Sequence, residues 1–322
     1  MPFVTAEDGT PIFFCDWGSA AAPPVVLVHA WALNSDMWSA QVPDLTAAGF
    51  RCVTYDRRGH GRSDRPGSGY DLDTLADDLA AVLDCLDVSD ALLVGHSMGA
   101  AEIIRYLTRH GTSRAAGVVL SAPMAPFLCC APRTTPAGLR SPRFESARQA
   151  MRDDIGAFVD AAPWSDYFGA SLEVSPALAD WTRRQIVDTP LQILLETQRA
   201  FTRADLRQEL AQFTLPTLVI QGSADRSAAI ELTGERAAAL VPGSRFGGDE
   251  RRRSRPLRKW SGPVRQRADR IRPRLPTALA PAVHPLPFQE TPFSSRTQYR
   301  DAVIVKCQCA RRESAVLDRR AL

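Results

Sequence analysis

The segment Leu92-Leu93-Val94-Gly95-His96-Ser97-Met98-Gly99-Ala100 places a hydroxyl between two glycines, where an apolar run gives way to a helical pattern. Gly95 to Gly99 is a G-x-S-x-G sequence. When a strand, such a turn and a helix follow one another, the Ser is forced into a sparsely populated backbone conformation that lifts its hydroxyl above the sheet. The glycines are required because a side chain at either place would strike neighbouring backbone. A hydroxyl so placed can attack a carbonyl carbon once a base takes its proton. The helix N-terminus behind it favours developing negative charge, and the Met98 N–H points where an oxyanion would form. A plain Gly-Ser turn is the bland alternative, and the order strand, motif, helix weighs against it.

Such a site needs a second amide donor from the loop after an earlier strand. The stretch Val28-His29-Ala30-Trp31-Ala32-Leu33-Asn34 occupies that place, which makes the Trp31 N–H the candidate partner of the Met98 N–H. Ala30 stands where a Gly usually follows such a His.

The elements that must carry these groups are legible as short apolar runs. Pro24 to Ala30, Arg51 to Asp56, Ala91 to Ser97, and runs from Gly117 and from Pro216 lack alternation, as strands buried on both faces do. Pro2 to Thr5 and Ile12 to Trp17 flank Asp8-Gly9, a hairpin signal that opens the sheet with an antiparallel edge. Leu72, Leu75, Leu79, Val82 and Leu86 recur at helical steps, with Asp77, Asp78 and Asp84 expected on a solvated face. Strands alternating with helices predict an α/β protein with a mostly parallel sheet and ligands at the strands' carboxyl ends. From about 125 to 207 the alternation stops. Helix-like stretches there carry Phe127, Phe158, Trp164, Tyr167, Phe168, Trp181 and Phe201, as in an inserted helical cap.

With 322 residues, 45% hydrophobic and 23% charged, the chain has the composition of an ordinary globular protein. Neither a signal peptide pattern nor an apolar stretch of about 18 residues is present, so a cytoplasmic location without a membrane partner is expected. The seven Cys are scattered without zinc-site spacing, and no metal is expected. The net charge of +3 hides an asymmetry, because residues 251–322 hold 16 Arg and 2 Lys against 5 acidic residues.

On Gly95 to Gly99, on Tyr55-Asp56-Arg57-Arg58-Gly59-His60-Gly61-Arg62-Ser63-Asp64, and on the helix from Tyr70 to Val88, the chain resembles the α/β-hydrolases. The branch is that of esterases and cofactor-free haloperoxidase-like perhydrolases. The resemblance spans about 1–246. It implies a core of 1–124 and 208–246, a cap of 125–207, and a serine hydrolase acting on a small ester or acyl substrate with no metal or organic cofactor. It further implies that the acid orienting the base is Asp225, at the end of Thr217-Leu218-Val219-Ile220-Gln221-Gly222-Ser223-Ala224-Asp225. Family members usually carry His and Asp where this chain has Gln221 and Ser223.

The base is where the chain departs. The family's register puts it about 29 residues beyond Asp225, at Ser254, and His284, in Pro-rich surroundings, is the one His beyond Asp225. His29, His60 and His96 fall where the family has structural residues, and His110 falls in the last turn of the helix after the motif, where a cation suits the helix dipole. Residues 247–322 read as an atypical Arg- and Pro-rich tail, disordered or displaced in reading frame. A basic tail for nucleic acid or acidic lipid is the alternative, but its charges follow no helical face and carry no nucleic-acid signature. No nucleic-acid partner is therefore expected. A chain deprived of its base would be an inactive or merely binding member of the fold, with low solubility from an uncovered sheet edge. Sequencing of the gene checks the frame reading: another frame downstream of the Phe246 codon is expected to encode a His-bearing loop and a closing helix, and failure in both frames overturns it.

Overall fold

The computed structural model describes residues 2–128, 141–161, 175–223, 225 and 227–248, with 141–143 and 248 as backbone alone. Ser254, His284, Trp164, Tyr167, Phe168, the tail from 249 onward and four of the Cys lie outside the described residues.

Apolar runs of five to seven residues become strands because only a two-faced sheet buries such a run completely. The strands are β1 (Phe3–Thr5), β2 (Pro11–Trp17), β3 (Pro24–Val28), β4 (Arg51–Tyr55), β5 (Ala91–His96), β6 (Ala115–Ser121), β7 (Thr217–Gln221) and β8 (Arg245–Gly248). Every residue of β4 and β7 is buried. The eight strands form one sheet in the order β1-β2-β4-β3-β5-β6-β7-β8. β2 pairs antiparallel with β1 and β4, and the other pairings are parallel. At the β1–β2 turn Gly9 has a φ of 87°, which the Asp8-Gly9 pair supplies at little cost.

The helices are α1 (Val42–Ala47), α2 (Leu72–Cys85), α3 (Met98–His110), α4 (Ser141–Asp153), α5 (Ile155–Ala161), α6 (Pro176–Asp188), α7 (Leu191–Arg203), α8 (Arg207–Ala211) and α9 (Gly234–Leu240). The Asp71 carboxylate caps α2 by accepting from the Asp73 and Thr74 amides. Leu72, Leu75, Leu79 and Val82 bury the expected stripe. Among the described residues five helices, α4 to α8, lie between β6 and β7 in the chain. Met151, Val159, Ile186, Leu194 and Leu195 from this stretch form an apolar cluster with Ala32, and Trp31 and Leu33 pack against it. Phe158, partly buried, packs against that cluster, whereas Phe201 lies in the main core.

Two expectations are corrected. β8 covers the β7 edge by parallel pairing from Leu218↔Arg245 to Gln221↔Gly248, so the last strand among the described residues begins before the change in composition and continues into Gly247 and Gly248. Strand pairing uses backbone groups and tolerates that change. Asp78 is not on a solvated face: its side chain is 1% exposed and meets Arg58, itself 1% exposed, at 2.6 Å. It falls three residues after Leu75 and one before Leu79, inside the buried stripe, and a buried carboxylate there requires the guanidinium fork.

Arg58 also bonds the half-exposed Asp8 at 2.7 Å and so ties the β1–β2 turn to α2. The hydrogen bond from Arg58 holds the Asp8 carboxyl down to about 2 from 3.8. A depressed carboxyl stabilises the fold fully above its unfolded value and loses that contribution as pH falls through the folded one. Burial pushes Asp78 the other way, to about 6, so its contribution declines at higher pH, between about 4 and 6. Asp8→Asn is therefore expected to lower the urea midpoint at pH 5 to 7, with the difference from wild type vanishing between pH 4 and 2.

Candidate active site

Ser97 joins β5 to α3 with φ 57° and ψ −115°, outside the regions open to most residues, at a cost of roughly 1–3 kcal/mol. The surrounding backbone enforces it. Ser97 donates its amide to the Ser121 carbonyl at 2.9 Å, and its own carbonyl accepts from Met124 and Ala100, both at 3.1 Å. A Cβ on Gly95 would lie 2.5 Å from the Gly99 carbonyl oxygen, and one on Gly99 would lie 2.4 Å from that of Val28. Helix α3 thus starts in contact with the last carbonyls of β3. The Ser97 side chain does not cap α3, is partly exposed, and has no hydrogen-bond partner among the described residues.

The two candidate amide donors are similarly uncommitted. Neither the Trp31 N–H nor the Met98 N–H donates to an acceptor among the described residues. Met98 opens α3, where first-turn amides have no intrahelical partner. The Trp31 indole N–H donates to the Leu194 carbonyl at 3.1 Å, which fastens the loop after β3 to α7. A carbonyl carbon held at Ser97 would have two free donors for the oxygen that becomes negative.

Asp225 follows β7. Its Oδ1 accepts from the Ser227 amide at 2.9 Å, the Ser227 hydroxyl at 2.7 Å and the Ala228 amide at 3.0 Å. Its Oδ2 accepts from Gln221 Nε2 at 3.1 Å. The registers His96↔Ser121 and Ser121↔Ile220 set the ends of β5 and β7 two strand spacings apart, about 9.5 Å.

Among the described residues no His bonds Ser97. His96 Nδ1 lies 3.0 Å from Ser121 Oγ; burial pushes its imidazole below the ordinary value, while the nearby Asp225 charge pulls it up. His110 meets Asp77 at 2.7 Å at the end of α3. His29 and His60 are fully buried, and desolvation lowers both, His60 to about 3. No group of three His, Cys, Asp or Glu among the described residues could hold a metal ion.

Gln221 is a site residue that sequence reasoning marked only as a departure. Fully buried, it donates to Asp225 and, at 2.6 Å, to the Ala228 carbonyl, and it accepts from the Thr233 hydroxyl at 3.0 Å and the Gly234 amide at 2.9 Å. Its signal was a polar residue ending a wholly buried strand. Gln221→Leu leaves these partners short of hydrogen bonds and is expected to destabilise the protein by about 2–5 kcal/mol in urea unfolding.

Residues 23–249 match the family model described as alpha/beta hydrolase fold. A non-heme haloperoxidase from Rhodococcus erythropolis is 36% identical over 249 residues, covering 76% of this chain and 90% of that protein. A bifunctional esterase/perhydrolase from Acinetobacter calcoaceticus is 33% identical, covering 75% of this chain and 88% of that protein. An esterase structure from Exiguobacterium antarcticum superposes with a TM-score of 0.71 at 29% identity, covering 76% of this chain and 89% of that one. A bromoperoxidase structure from Bacillus anthracis gives 0.71 at 31%, with coverage of 76% and 90%.

Proposed function

The chain belongs to the alpha/beta hydrolase fold family, and from that premise we propose that it is a serine hydrolase acting on small esters through an acyl-enzyme on Ser97. The observation that carries the proposal is the strained backbone of Ser97 at the head of α3, with its hydroxyl free of other use. Ser97 Oγ attacks the carbonyl carbon as an imidazole removes its proton, and the tetrahedral oxyanion receives the Trp31 and Met98 N–H groups. Collapse expels the alcohol, and water then releases the acid from Ser97. Asp225, with both oxygens already fixed, orients the imidazole and stabilises its charged form. No described His is assigned that imidazole, and His284 lies outside the described residues.

The relative from Acinetobacter calcoaceticus favours a second reaction on the same groups, in which hydrogen peroxide replaces water and a peracid leaves. A third reading, a silent member of the fold, rests on Ser254 standing where the family's register puts the base. A serine triad without its His loses on the order of 10⁶ in turnover.

A fluorophosphonate probe and a p-nitrophenyl ester separate these readings. Labelling of the full chain at Ser97 is expected, absent in Ser97→Ala, with ester turnover lower by about 10⁴ in Asp225→Asn. Peracid formed only with added peroxide identifies the second reaction. Labelling no faster than in Ser97→Ala makes the chain silent.

A further inference from the structure

The two amides of the oxyanion site belong to different segments: Trp31 follows β3, and Met98 begins α3. Their separation must hold to within a fraction of an ångström for both to reach one oxygen. A chain of buried polar contacts runs between the segments. Glu102, one turn into α3, accepts from Arg57 Nε at 2.6 Å and from the Tyr55 hydroxyl. Arg57 reaches on from Glu102 to the residue after β3, where its Nη2 donates to the His29 carbonyl at 2.9 Å and its backbone amide donates to His29 Nε2 at 2.9 Å. With Nε2 accepting, the His29 proton is on Nδ1, which donates to the Ala30 carbonyl at 2.8 Å. That carbonyl shares its peptide plane with the Trp31 N–H, so fixing the one aims the other.

Resting on the reading of Ser97 as nucleophile, we propose that the Arg57–Glu102 pair, acting through His29, sets the position of the Trp31 amide relative to the Met98 amide. Arg57, Glu102 and His29 are thus positioning residues for the acyl-transfer step. Stability alone does not account for the pair. All three side chains are fully buried, and a buried ion pair is often no more stabilising than well-packed apolar residues of the same size. What apolar residues would not supply is a side chain that bonds Glu102 of α3 and the His29 carbonyl after β3 at once. Arg57 does so through a planar fork that a Lys lacks.

The test uses the full chain with ¹⁵N at Trp and Met, in the double variant R57M/E102M, which leaves no charge unpaired, and in R57K, which keeps the charge without the fork. Expected in both are a folded protein, displaced amide resonances of Trp31 and Met98 with those of Trp17 and Met151 unmoved, and fluorophosphonate labelling of Ser97 slowed about 10²-fold. Folded variants with unmoved Trp31 and Met98 resonances, or labelled at the wild-type rate, overturn the proposal. Loss of folding in both also overturns it, because the pair is then a stability element. If wild-type Ser97 is not labelled at all, the nucleophile reading fails, while the amide resonances still decide the positioning role.

Discussion

Everything at the candidate site depends on how closely α3 approaches the carboxyl ends of β3 and β5. The contact leaves no room for a Cβ at Gly95 or Gly99, with backbone oxygens 2.5 and 2.4 Å from where those carbons would sit. Such proximity turns the chain sharply at Ser97, where φ is 57° and ψ −115°. The strain at Ser97 is held by ordinary backbone hydrogen bonds to Ser121 and Met124, on and just after β6. The neighbouring parallel strands therefore carry the cost of the exposed conformation.

The same approach explains why so many charges are buried nearby. Where a helix starts against the last carbonyls of a strand, the loops beyond β3 and β4 crowd into a narrow layer with backbone donors and acceptors. Arg57 and Asp56 satisfy that layer from within. Asp56 accepts from the Ser35 and Arg62 amides, both at 2.8 Å, and binds the Arg62 side chain. His29 and His60, held neutral by desolvation, serve there as hydrogen-bonding spacers.

On the far side of Ser97 the acid position shows a different solution to the same problem. Three donors take one oxygen of Asp225, and the other meets the uncharged amide of Gln221, so the carboxylate's support does not titrate. Similarity to an esterase/perhydrolase and to a non-heme haloperoxidase fits a site whose protein groups stabilise a tetrahedral oxyanion without dictating which nucleophile attacks the acyl-enzyme.

Local sequence determined much of this protein. The unalternating runs at 24–28, 51–55 and 217–221 could be buried only between two layers, and the spacing Gly95, Ser97, Gly99 marked the turn because it answers to a steric rule that operates within a few residues. The start of β8 at Arg245 escaped notice, since a four-residue strand ending in two glycines has no apolar signature and exists only because β7 offers it an edge. Asp78 read as surface by residue type, although its place in the stripe was visible; its partner Arg58 is 20 residues away and was not. Tertiary structure alone decided which distant groups meet: Gln221 with Gly234, Glu102 with Arg57, Arg57 with the His29 carbonyl, and Trp31 with Leu194. Local chemistry sets the geometry of a turn, but a hydrogen bond between remote segments exists only after the sheet order has brought their backbones together.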